Sequence, residues 1–100
     1  MPTDRPIPAD APLSIPTGAV ATTLQGETII LDPDASKYFS LSGVGTRVWE
    51  LLQEGTTAGS LVQTITAEYD VDPATCARDV ERVLRELRQE GLLMVGDARS

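Results

Sequence analysis

Residues 37–52, KYFSLSGVGTRVWELL, contain the change from a strand pattern to a helix pattern that decides the fold. In the first five residues the side chains alternate, which places Phe39 and Leu41 on one face of a strand and Tyr38 and Ser40 on the other. From Val44 onward, apolar residues recur at the three- to four-residue spacing of an amphipathic helix. Ser42, just before this pattern, is predicted to cap the helix. A strand therefore leads directly into a helix.

The residues before this stretch have the pattern of short strands and turns. Residues 28–31, TIIL, are apolar and β-branched, and Gln25-Gly26 before them is typical of a hairpin turn. Asp32-Pro33-Asp34 after them has turn chemistry, because proline fixes φ and aspartate bonds the local backbone. The hairpin turn implies a further strand before it, from about Ala19. Together with residues 28–31 and 37–41, this predicts a meander of three antiparallel strands.

The residues after this stretch predict two further helices. Thr57 is a candidate N-cap for the second helix, and Asp72-Pro73 is a strong start signal for the third. Gly91 supplies a stop. The third helix carries five apolar residues within one arc of the helical wheel, namely Cys76, Val80, Val83, Leu84 and Leu87. Three strands followed by three helices indicate the α+β class.

The chain length and the proline distribution indicate one domain with an N-terminal arm. One hundred residues form one domain at most. Residues 1–17 are rich in proline and are predicted to be a disordered arm. The folded domain is expected to span residues 18–96, and residues 97–100 form a tail. No signal peptide and no membrane span is predicted.

The charge and the single cysteine narrow the class of partners. Fifteen Asp and Glu residues against eight Lys and Arg residues give a net charge of −7, which disfavours binding to phosphate backbones. Cys76 is the only cysteine, so the chain has no internal disulfide, and this composition is consistent with the cytoplasm.

The composition also argues against catalysis. The chain has no histidine, which removes the commonest general base and metal ligand. Cys76 on an apolar helix face is interpreted as a small buried hydrophobe and not as a nucleophile. The carboxylates near Pro33 and Asp72 are assigned to turns and caps, because they lack the spacing of a calcium loop. We therefore expect no enzyme activity, no metal and no cofactor.

The order of these pieces resembles the PqqD family. The resemblance runs from about Ala19 to Val95 and is carried by an ordered set of short matches: Ile29–Asp32, Lys37–Ser42, Gly45–Leu52, Leu61-Val62, Tyr69–Asp72, Val80, Leu84, Leu87 and Gly91–Leu93. The most specific part is the aromatic-leucine strand that leads into the Trp-Glu-Leu-Leu helix.

The resemblance implies a fold and a function. Members of this family have a three-stranded sheet packed on three helices in a winged-helix-like arrangement, and they recognise leader peptides in the biosynthesis of ribosomal peptide natural products. The proline-rich arm and the short chain look more like the lasso-peptide group. There, a separate leader protease and an ATP-dependent cyclase work on the precursor, whose leader often carries a Tyr-x-x-Pro element.

The resemblance also implies where the peptide binds. The leader adds as a strand to the free edge of the third strand of the meander, so the backbone of Lys37, Tyr38, Phe39, Ser40 and Leu41 supplies its partners. A groove between that strand and the third helix takes alternate leader side chains, with candidate lining residues Cys76, Val80, Val83, Leu84 and Leu87. Val83 and Leu84, at the edges of the arc, are the preferred groove walls. Asp79 and Arg82 are candidates for contacts to charged leader residues at the rim.

Three other functions stay open at this point. A quinone-pathway peptide chaperone that serves a radical enzyme would share the fold and the binding mode. A winged-helix DNA-binding regulator also has three helices and a small sheet, but the acidic balance disfavours it. A small enzyme is disfavoured because no site with converging catalytic groups is evident.

Overall fold

The computed structural model describes residues 7–16, 18–32 and 37–96 of the chain. In chain order they form the strands β1 (Leu13–Ser14), β2 (Val20–Leu24), β3 (Glu27–Asp32) and β4 (Lys37–Ser42), the helices α1 (Val44–Leu52), α2 (Ala58–Tyr69) and α3 (Pro73–Gln89), and the strand β5 (Met94–Val95). The predicted α+β class, with a three-stranded antiparallel sheet and three helices, is confirmed.

Strands β2, β3 and β4 form an antiparallel meander in that order. The first turn is at Gln25 and Gly26, as predicted, and both residues have positive φ angles of 55° and 79°. Two consecutive positive φ values give the type of turn whose twist matches that of a hairpin. The predicted second turn lies in part outside the described residues, which resume at Lys37, paired with Asp32.

The two faces of the sheet differ in burial. Thr28, Ile30 and Leu41 are buried against the helices, and Phe39, the cross-strand partner of Ile30, is half-buried on the same face. Tyr38 and Ser40 are exposed on the opposite face. The alternation predicted for β4 is therefore confirmed.

The start of α1 differs from the prediction. Gly43 and not Ser42 is the N-cap residue, and no side chain caps this helix. Ser42 instead pairs with Glu27 as the last residue of β4. Gly43 has φ 56° and ψ −125°, a conformation that L side chains rarely adopt. The chain thus changes from strand to helix at the glycine, so a serine-capping interpretation was wrong.

The termini of α2 and α3 agree with the prediction. The Thr57 hydroxyl accepts a hydrogen bond from the Ser60 amide at 3.1 Å, and the Asp72 carboxylate accepts one from the Thr75 amide at 3.1 Å. After α3, Gly91 takes a positive φ of 76°, and the amide of Leu92 donates to the carbonyl of Leu87 at 2.8 Å. That pair of features is a glycine-terminated helix end.

The core lies between the sheet and the helices. All five residues of the predicted apolar arc of α3 are buried, and α3 packs against both α1 and α2. Trp49 of α1 is 2 % exposed and belongs to the same cluster. Within the residues that the structure describes, no helix combines the length and the apolar character needed to cross a bilayer.

The N-terminal residues that the structure describes are ordered against the domain. Leu13–Ser14 pairs with β5, Ala11 and Leu13 are buried, and the amide of Gly59 donates to the carbonyl of Ala9 at 2.9 Å. For residues 7–16 the prediction of a disordered arm was wrong, because apolar residues between the prolines find core positions. Residues 1–6 and 17 of that arm, and the predicted tail at 97–100, lie outside the described residues.

Candidate functional site

The candidate site is a groove along the outer edge of β4. Strand β4 is the last strand of the meander, so β3 occupies one of its edges, and no other strand in the described part of the chain pairs with the second edge. Side chains of helix α3 line the same groove as β4. The groove is lined by Ser40, Leu41 and Ser42 of β4, by Val44 and Gly45 at the start of α1, and by Asp79, Arg82, Val83 and Glu86 of α3.

Two buried apolar side chains lie at the floor of the groove. Leu41 and Val83 are only 6 % and 3 % exposed, so they lie beneath a groove whose accessible lining is mostly polar. Gly45 allows α1 to start close to β4, because a Cβ atom there would lie 3.1 Å from Cδ2 of Leu41. A side chain at this position would press on Leu41 and change the shape of the floor.

The rim of the groove on the α3 side is charged. Asp79, Arg82 and Glu86 are three and four residues apart and therefore lie on successive turns of one helix face. Nη1 of Arg82 lies 3.6 Å from Oε2 of Glu86, an exposed i,i+4 ion pair. Two carboxylates and one guanidinium leave this rim with one net negative charge.

Five of the twelve residues predicted from the sequence meet at this groove. They are Ser40, Leu41, Asp79, Arg82 and Val83. The strand and the helix that carry them are the two elements that the resemblance pointed to. The same rim includes Glu86, which was not among the residues predicted from the sequence. Its spacing of seven residues from Asp79 is the signal that could have identified it.

Four of the predicted α3 residues are not at the groove. Val80 and Leu84 face the opposite side of α3, where they line a second apolar pocket with Val62 of α2. Cys76 and Leu87 lie in the core, and Sγ of Cys76 is 3.8 Å from the carbonyl oxygen of Val62. An apolar arc that touches both α1 and α2 is wider than one groove, so its two edges, Val83 and Leu84, face different neighbours.

The remaining predicted residues belong to β4 itself. Phe39 is half-buried on the inner face of the sheet, and Tyr38 is 73 % exposed on the outer face. Lys37 begins the strand, opposite Asp32. These three residues contribute backbone to the open edge, whereas the floor and the rim of the groove are formed by other side chains.

Besides Glu86, three further residues of the groove were missed in the sequence. Ser42, Val44 and Gly45 form its end where β4 passes into α1. Their contribution depends on the sharp turn at Gly43, which brings the first turn of the helix next to the strand that precedes it. No local sequence pattern for a groove exists at this position.

A second exposed feature is the outer face of the sheet. Val20, Leu31 and Tyr38 form one row across the three strands, since Leu31 is the cross-strand partner of both others. Ile29 of β3 and Leu24 of β2 lie on the same face of the sheet. All five side chains are more than 40 % exposed. We call these five residues the outer apolar face. It begins at β4, the strand that also forms the groove.

Comparisons with known proteins identify a family and similar solved structures. The family model described as coenzyme PQQ synthesis protein D (PqqD) matches residues 27–93, more than half of the chain. The solved structure of TbiB1 in complex with the TbiA(beta) leader peptide is 38% identical, with a TM-score of 0.74, and the match covers 80% of this chain and 93% of that one. The search of curated proteins gave no match.

Two further solved structures share the fold. One is the PqqD truncation of Methylobacterium extorquens PqqCD, a RiPP recognition element, with 24% identity, a TM-score of 0.76 and coverage of 94% and 99%. The other is a lasso peptide synthetase B1 complexed with the leader peptide, with 18% identity, a TM-score of 0.72 and coverage of 82% and 96%. The extent of the family match and the identity to TbiB1 lead to one conclusion: this chain belongs to the PqqD family.

Proposed function

We propose that this chain binds the leader segment of a ribosomally synthesised precursor peptide and presents it to a separate leader protease and an ATP-dependent cyclase in lasso-peptide biosynthesis. One observation carries the proposal. The open edge of β4 borders a groove with α3, in a chain that is 38% identical to a protein solved with a leader peptide.

Strand addition is the binding mode that suits an open edge. The backbone of an edge strand offers a row of N–H and C=O groups that a peptide can pair with. The side chains of an added strand alternate, so every second leader residue would point into the groove beside α3. Backbone pairing would supply affinity, and the groove would supply the choice of sequence.

The apolar floor favours a leader with a large apolar or aromatic side chain. Leu41 and Val83 lie at the base of the groove, where an inserted side chain would contact them. A tyrosine of a Tyr-x-x-Pro element would bury a large area there and keep its hydroxyl near the polar rim. In this proposal the chain performs no chemical step, and the protease and the cyclase act on the bound precursor.

A binding titration with two matched variants tests the proposal. The TbiA(beta) leader peptide, titrated calorimetrically into the wild-type chain, is expected to bind with 1:1 stoichiometry. Val83→Thr places a hydroxyl at the groove floor, which must lose water when a leader side chain covers it, so Kd should rise about tenfold. Val80→Thr makes the same change on the other side of α3 and should leave Kd unchanged.

The control separates binding from stability. Val80 and Val83 are 1 % and 3 % exposed, so both variants should lose similar stability in urea unfolding. Equal losses of affinity in the two variants would contradict the groove assignment. A leader peptide with alternate N-methylated amides should also fail to bind, and unimpaired binding of that peptide would contradict strand addition.

A second candidate client follows from the description of the matching family. Coenzyme PQQ synthesis favours the precursor peptide of a quinone pathway, presented to a radical enzyme, as the alternative. Competition between that precursor and the TbiA(beta) leader for the chain distinguishes the two. Preferential binding of the quinone precursor would replace the lasso-peptide client and keep the binding mode.

A further inference from the structure

The side chain of Asp79 has no partner at the groove rim. It is half-buried, and no hydrogen bond or ion pair joins it to another residue in the described part of the chain. Arg82, one turn further along α3, lies 3.6 Å from Glu86 and does not pair with Asp79. The single net negative charge of the rim is therefore located at Asp79.

A bound strand changes the environment of this carboxylate. A peptide laid along β4 covers the groove and removes water from Asp79, which is already half-buried. Removing water from a charged group is costly unless a partner compensates it. Because Arg82 already lies next to Glu86, a basic side chain of the peptide is the group that would balance the charge of Asp79. The net charge of −7 of the whole chain adds to the attraction for a cation.

We propose that Asp79 is a specificity-determining residue that selects leaders with a lysine or arginine at the position facing it. This inference rests on the proposed function and names the chemistry of its client: an extended peptide with an apolar side chain on the groove floor and a basic side chain at the α3 rim. A leader with an acidic residue at that position is rejected, because two carboxylates would then share a partly dry site.

Selection from a display library of random peptides tests this inference with no assumption about the natural client. On the wild-type chain, the enriched peptides are expected to share one position occupied by Lys or Arg. For a representative peptide, replacing that residue by Glu should weaken binding about tenfold or more. The preference should decrease as the salt concentration rises, because the contact is at a rim that ions can reach.

Three variants assign the preference to Asp79. In Asp79→Asn, the ratio of the affinities for the Lys peptide and the Glu peptide should fall to about one. In Asp79→Lys, the Glu peptide should bind more tightly than the Lys peptide. Glu81→Gln removes one negative charge from α3 on the side away from the groove, where Glu81 lies 3.6 Å from Arg85. This variant should leave the preference for Lys over Glu unchanged. Circular dichroism confirms that each variant is folded.

The outcomes distinguish the two proposals. Enriched peptides without a shared basic residue, or a basic preference that persists in Asp79→Asn, would overturn the role of Asp79 and leave leader binding in place. Failure of the wild-type chain to enrich any peptide would overturn the proposed function and the inference with it.

Discussion

At the scale of single residues, Thr46 connects the sheet to the helix that follows it. Its hydroxyl lies 3.1 Å from the carbonyl oxygen of Gly26 and 3.3 Å from that of Leu41. Gly26 is in the turn between β2 and β3, and Leu41 is on the groove floor. One buried hydroxyl group in α1 thus contacts the β2–β3 turn and β4 at the same end of the sheet, which ties α1 to that end.

Replacing Thr46 by valine should reduce stability without changing the shape of the side chain. The two carbonyl groups would lose a buried partner, and we expect the free energy of unfolding to fall by about 1–3 kcal/mol. Urea denaturation followed by circular dichroism measures it. Thr46→Ser keeps the hydroxyl and is the control. A valine variant as stable as the wild type, with a destabilised serine variant, would show that packing and not hydrogen bonding matters here.

Arg47 of α1 makes a bidentate ion pair with Glu68 of α2. Its guanidinium donates to both carboxylate oxygens of Glu68, at 2.9 and 2.6 Å, and also to Glu50 at 3.1 Å. Hydrogen bonds from Arg47 lower the pKa of Glu68 below its usual range, and bonds to Glu68 and Glu50 raise the pKa of Arg47. Only the titration of Glu68 is relevant to stability, since arginine stays charged.

The stabilisation by Glu68 should disappear at acid pH. A carboxyl whose pKa is lowered by folding stabilises the protein above its unfolded pKa, and this contribution is lost as the pH falls through the folded pKa. We therefore expect Glu68→Gln to be less stable than the wild type near pH 7 and equally stable in strong acid. Urea unfolding across this pH range measures the difference, and a difference independent of pH would contradict the assignment. Glu54→Gln, an exposed change outside this ion pair, is the control.

At the scale of elements, α3 matters most because it forms both the core and one wall of the groove. Its start depends on the Asp72 carboxylate, which accepts from the amide of Thr75 at 3.1 Å and precedes proline at the first helical position. Any loss of helix at this end would reach Asp79 within two turns. The cap therefore stabilises the site as well as the fold.

Asp72→Ala should lower the free energy of unfolding by about 1 kcal/mol, because an amide of the first turn loses its acceptor. Asp72→Asn keeps an acceptor oxygen and should stay close to the wild type. Thermal unfolding of the three proteins in parallel measures the difference. Equal destabilisation by alanine and asparagine would indicate that the charge of Asp72, and not the cap, is responsible.

The elements that could be predicted from the sequence are those with local signals. The Gln25-Gly26 turn, the Asp72-Pro73 helix start and the Gly91 stop each depend on neighbouring residues, and all three are confirmed. The start of α1 was misassigned because a serine and a glycine stand side by side, and only the backbone angles of Gly43 decide between them. The pairing of β1 with β5 joins the two ends of the domain and has no local signal.

The candidate site could be predicted at the level of elements but only partly at the level of side chains. The strand came from the alternation in residues 37–41, and the helix came from its apolar arc. Which edge of that arc faces β4 depends on how α3 is rotated against α1 and α2, and a sequence pattern alone does not contain that angle. Val83 therefore lies at the groove, while Leu84, adjacent in sequence, lies on the far side.

At the scale of the whole molecule, the outer apolar face exposes several large apolar side chains together. Leu31 is 48 % exposed between Val20 and Tyr38, although its neighbour Ile30 is fully buried on the inner face. Contiguous apolar patches on a monomer promote association with other surfaces. Changes in the outer apolar face should leave the core packing unchanged, because its side chains contribute little to the core.

Leu31→Thr should therefore change the surface properties of the chain and leave its stability nearly intact. Threonine is β-branched, which suits a strand, and little buried apolar area is lost at this half-exposed position. We expect the variant to bind less of a fluorescent apolar dye and to show a smaller concentration dependence of its apparent mass in sedimentation. Leu41→Thr makes the same chemical change on the inner face, at 6 % exposure, and should cost about 2–4 kcal/mol in urea unfolding. Equal destabilisation by Leu31→Thr and Leu41→Thr would mean that the two faces of the sheet are equally buried in solution. The outer apolar face would then have to be covered in the isolated protein.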